Sequence, residues 1–70
     1  MAAALIQSPL TTPERRLLCL LMRGQTSLEA AAALGLTLAD TERILADLMR
    51  RFGVSSPRRL FVHALVHRWI

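Results

Sequence analysis

The sequence predicts an all-α fold of four helices. Helix-start signals stand at four places along the chain. Glycines at 24, 35 and 53 close the first three segments those signals open. No stretch alternates apolar and polar residues as a strand would, and no segment repeats.

Thr11-Thr12-Pro13-Glu14 reads as a capping box, a hydroxyl capping the helix while Glu14 reaches back to the cap amide. Pro13 suits the first turn, where a missing N–H loses no bond. The first helix is expected over residues 12–23, with Leu17, Leu18 and Leu21 on one face and Gly24 as a left-handed cap. Thr26-Ser27-Leu28-Glu29 is a second box, opening an alanine-rich helix over 27–34 that Gly35 ends. Its alanines allow close approach of neighbours and also favour helix intrinsically. Thr37 opens the third helix, 38–52, with Asp40 in the acidic position of the box and Gly53 at its end. Ser56-Pro57 opens the fourth, over 57–69 or on to Ile70. Residues 1–9 carry no start or stop of their own and read as a mobile tail ahead of a domain at 10–70.

On a helical wheel, Leu38, Thr41, Leu45, Leu48, Met49 and Phe52 share one face of the third helix, with Ile44 at its edge. That face is expected to meet the first two helices. Ala39, Asp40, Arg43, Ala46, Asp47, Arg50 and Arg51 lie on the other, and Glu42 near the border.

From Thr26 to Val54 the chain reads as short helix, three-residue turn (Gly35-Leu36-Thr37) and longer helix. That is the shape of a helix-turn-helix and makes double-stranded DNA the first partner to test. Arg43 can read guanine in bidentate fashion, with Thr41 or Asp40 as further base-reading candidates. Asp40 and Glu42 also stabilise the helix dipole, by about 0.3–1 kcal/mol each. Asp47, four residues after Arg43, is expected to pair with it. Phosphate contacts would come from Arg15, Arg16, Arg50, Arg51, Arg58 and Arg59, which serve equally as solvated charge.

Composition sets further bounds. Seventy residues allow one small core. The net charge is +4 and every basic residue is arginine, which fits a nucleic-acid partner or an arginine-rich surface from a GC-rich genome. Few aromatics argue against stacking on single strands. The lone Cys19 suggests a reducing, cytoplasmic setting and reads as an inert, partly buried thiol. Leu17 to Met22, the longest apolar run, is far too short to span a bilayer, so no membrane is expected. His63 and His67, one turn apart, have a metal-binding spacing without a third ligand and read as surface histidines; no metal or cofactor is expected. Nucleophile–base pairs, paired carboxylates and phosphate loops are absent, which argues against an enzyme.

The fourth helix is apolar well beyond one face. Leu60, Phe61, Ala64 and Leu65 form a core stripe. Val62, Val66 and Trp69 form a second, read either as a homodimer interface or as a surface the N-terminal tail covers.

From Leu10 to Ile70 the chain resembles, without a gap, the LuxR-type (GerE-like) helix-turn-helix domain. The resemblance rests on Leu10-Thr11-x-x-Glu14-Arg15-x-Leu17-Leu18, Leu20-Leu21-x-x-Gly24, Glu29-x-Ala31-x-x-Leu34-Gly35-Leu36-Thr37, Leu48-x-x-Arg51-Phe52-Gly53-Val54, and Ser56 with Ala64-Leu65. It implies a bacterial transcription regulator whose third helix enters the major groove and whose fourth pairs on DNA. Family members usually carry Thr-Val-Lys/Arg-x-His in the recognition helix, where this chain has Asp40, Thr41, Glu42, Arg43 and Ile44; the basic residue near the helix end is kept as Arg51. Larger members add an N-terminal receiver or ligand-binding domain, whereas Met1 and the short tail here suggest a stand-alone domain. The acidic start of the third helix leaves an alternative: an interaction module that pairs with another regulator and does not bind DNA.

Overall fold

The computed structural model describes residues 9–69; the expected tail at 1–9 lies, but for Pro9, outside the described residues. Among those described are four α-helices and no strand: α1 (Thr12–Met22), α2 (Ser27–Leu34), α3 (Leu38–Phe52) and α4 (Pro57–Val66).

Each helix starts where a hydroxyl meets its third-residue amide. Thr11 and Thr26 sit in complete boxes, the Glu14 and Glu29 carboxylates accepting from the cap amides at 2.9 and 2.8 Å. Thr37 Oγ1 accepts from the Asp40 amide at 3.0 Å, but Asp40 does not complete the expected box. Its side chain is one methylene shorter than glutamate, and it turns instead toward Arg43, 3.4 Å away. Ser56 Oγ accepts from the Arg59 amide and caps α4.

All four helices end alike. The amides of Gln25, Leu36, Val54 and Trp69 reach back to the carbonyls of Leu20, Ala31, Met49 and Ala64 at 2.8–3.2 Å. The residue before each of these amides has positive φ: Gly24, Gly35, Gly53 and, in α4, Arg68 at +59°. This turn stops α4 at Val66, short of the expected 69. Arginine at 68 gave no glycine-like stop signal, so the sequence alone read the helix onward.

The core is small. Leu10, Leu18, Leu48, Leu60 and Ala64 form its buried cluster, with Ile44, Leu45, Met49, Phe52, Val54, Phe61 and Trp69 packed around it. Burying a leucine side chain contributes about 1.5–3 kcal/mol. Ala30 and Ala31 are buried where α2 packs on both α1 and α3. A methyl side chain is what the space between those backbones admits, so larger residues there would overpack. Leu65, expected in the core, is 51% exposed, and Leu38, at the solvent end of α3, is 39% exposed.

Candidate nucleic-acid interface

The expected core face of α3 turns inward, with Thr41 and Leu48 fully buried. This leaves Ala39, Glu42, Arg43, Ala46 and Arg50 exposed on the outer face, with Asp40 and Asp47 half-buried beside them.

Thr41 cannot read a base. It has no solvent-accessible surface, and its hydroxyl donates to the Thr37 carbonyl at 3.0 Å. Its wheel position already set it among the core residues; its chemistry made it a base-reading candidate, and burial decides against that role. Asp40 and Arg43 remain at the surface and face each other across one turn at 3.4 Å. Arg43 therefore pairs backward with Asp40, in place of the expected partner Asp47.

Asp47 is taken by a different pair. It accepts from Arg50 at 2.9 Å and from Arg51 at 2.8 Å. Arg51 also donates to Glu14 at 3.1 and 3.5 Å, joining the end of α3 to the start of α1. The Arg51 hydrogen bond, followed by that of Arg50, holds the Asp47 carboxyl below its ordinary value. At Glu14 burial is the largest influence and pushes the carboxyl up. The Thr11 amide and the Arg51 guanidinium together outweigh it, and the result is a lowered value. The hydrogen bond to Glu14, then that to Asp47, raises Arg51 further. Two of the expected phosphate-binding arginines are thus engaged within the fold.

The other four are not. Arg15, Arg16, Arg58 and Arg59 are exposed and have no carboxylate within 4 Å among the described residues, as is also true of Arg23. Arg58 and Arg59 stand in the first turn of α4, at the positive end of its dipole. Every acidic side chain except Glu42 is occupied by a cap or an arginine. The chain's surplus charge is therefore displayed on α1 and α4, and much less on α3.

On α4, Val62 and Val66 are exposed as expected, at 54% and 70%, and Leu65 joins them. Trp69 does not. The turn at Arg68 folds its ring over Phe52, centroids 4.7 Å apart, and sets it edge-on to His63 and stacked on His67 at 5.0 and 5.1 Å. His63 is consequently half-buried, where a surface position was expected. A shallow groove of about 490 Å³ runs along Gly53, Arg58, Arg59, Val62, His63 and Val66.

Sequence reasoning passed over a second groove, of about 410 Å³, between α1 and α2, lined by Arg15, Arg16, Cys19, Leu20, Arg23 and Ala33. Its signal was present: Arg16, Cys19 and Arg23 fall opposite Leu17, Leu18 and Leu21 on the α1 wheel.

No group of three or more histidine, cysteine or acidic residues able to hold a metal occurs among the described residues, and no helix there is long and apolar enough to cross a membrane. No protein-family model, curated protein or solved structure matches the chain.

Proposed function

We propose that the protein is a LuxR-type (GerE-like) transcription regulator that binds double-stranded DNA through α2 and α3, as a homodimer paired through α4. The observation that carries this reading is the outer face of α3. It stays exposed on the second of two helices joined by a short turn, while arginines with no carboxylate partner among the described residues stand at the start of α4. Arg43 and Asp40 would face the base edges. Arg58 and Arg59, at the start of α4, would hold phosphate, while Arg15 and Arg16 stand on the side of α1 that points away from α3 and take no part. Val62, Leu65 and Val66 form the apolar patch for the second copy. Pairing should set the two third helices about 34 Å apart, one duplex turn.

The test is binding to a labelled random-sequence duplex over a range of salt. Binding at low salt that weakens steeply as salt rises, with a shallower slope in an Arg58→Ala/Arg59→Ala variant, supports the reading. No binding at low salt overturns it.

The Asp40–Arg43 pair favours a second reading, an interaction module that modulates another regulator without touching DNA. It neutralises the one arginine best placed to read a base. On this reading Asp40→Lys/Glu42→Lys creates duplex affinity where the unmodified chain has none; tight binding by the unmodified chain removes it.

A further inference from the structure

The groove between α1 and α2 is a different surface from the one proposed for DNA. Arg16, Cys19 and Arg23 lie on the side of α1 opposite Leu17, Leu18 and Leu21. Leu17 and Leu18 are buried against the rest of the fold, so this side points outward, away from α3. Its rim is cationic: Arg15, Arg16 and Arg23 have no carboxylate partner among the described residues. Its floor is apolar: half-buried Cys19 and Leu20, with exposed Ala33 from α2.

We infer that this groove docks an acidic amphipathic helix of another protein. Arg16 and Arg23 are two turns apart, about 10.5 Å along the axis of α1. Carboxylates seven residues apart on a partner helix match that spacing. An apolar residue midway between them would then rest on Leu20 and Ala33. The floor discriminates between partners. A phosphodiester backbone offers nothing to an apolar surface, and the groove has no aromatic ring on which a base could stack. A second copy of this chain is a poor occupant as well. Glu42 is its one acidic side chain not already committed, and two carboxylates in register are required. The occupant is therefore a separate acidic partner, held away from the α3 surface proposed for DNA.

The probe is a synthetic helical peptide of about 15 residues, with Glu seven apart and Leu between them on one face. A control peptide of the same composition scatters those residues around the helix. Amide shifts of the full chain are followed by NMR, and affinity by anisotropy. Shifts centred on Arg16, Cys19, Leu20, Arg23 and Ala33 are expected, with slower alkylation of Cys19 when peptide is bound. Arg16→Ser/Arg23→Ser should weaken binding at least about tenfold, while Arg58→Ser/Arg59→Ser stays within about twofold. Both variants change exposed residues without partners, and circular dichroism checks that they fold. Equal binding of the scattered peptide would reduce the effect to bulk charge and overturn the inference. So would shifts centred on α4, a duplex that displaces the peptide from α1, or no saturable binding at about 1 mM.

Discussion

Glu14 Oε2 lies 3.1 Å from Arg51 Nη2, across 37 residues of sequence, while Glu14 Oε1 accepts from the Thr11 amide at 2.9 Å. One carboxylate thus caps α1 and fixes the far end of α3 to it. A double-mutant cycle on Glu14→Gln and Arg51→Ala should give a favourable coupling of about 0.5 kcal/mol that shrinks with added salt, because the Arg51 side chain is 41% exposed and screened. No coupling at low salt would mean the pair only decorates the surface.

The same carboxylates make stability depend on pH, and the direction follows from their lowered values. The folded chain holds protons at Glu14 and Asp47 less tightly than the unfolded chain, which takes them up first on acidification. Their contribution is complete above the ordinary values of 4.5 and 3.8, and is lost as pH falls through the lower folded values. Thermal melts should be nearly level from pH 7 to about 5 and drop below that. Glu14→Gln preserves the cap geometry and should flatten the drop; an equally steep fall in that variant would place the effect elsewhere.

Arg68 holds a left-handed conformation that the other helix ends assign to glycine. Arg68→Gly should relieve that strain and add about 0.5–1 kcal/mol, raising Tm by a few degrees. Gly35→Ala and Gly53→Ala should lower stability by about 1 kcal/mol, although a methyl at either site meets no atom within 4 Å, because the penalty lies in the backbone alone. Calorimetry on the three variants checks both signs.

Thr41→Val should leave any base preference of the protein unchanged and lower stability by about 1 kcal/mol or less. The Thr37 carbonyl still accepts from the residue 41 amide at 3.0 Å after the hydroxyl is removed. A changed sequence preference in a selection experiment would return Thr41 to the reading surface.

Helix starts were the most legible part of this chain, because hydroxyl, acidic and proline residues act on amides within three positions. Glycine ends were legible for the same reason. Arg68 was not, since an arginine announces no left-handed turn, and missing it misplaced Trp69 by sending it along an α4 that had already stopped. Leu65 fell on the wrong stripe because an apolar wheel position does not reveal whether a neighbour is there to cover it. Among the site residues, the composition of α3 was clear and its pairing was not. Arg43 had acidic neighbours at both three and four positions, and only side-chain reach settled the choice. The Arg51–Glu14 bond joins distant parts of the chain and leaves no local trace.

Ala39, Glu42, Arg43 and Ala46 are exposed, and among the described residues their only side-chain ion pair is the surface contact of Arg43 with Asp40. The scaffold is indifferent to what stands there. A library randomised at those sites would be expected to yield folded members almost throughout, and so to offer one frame on which many recognition preferences can be grafted and compared.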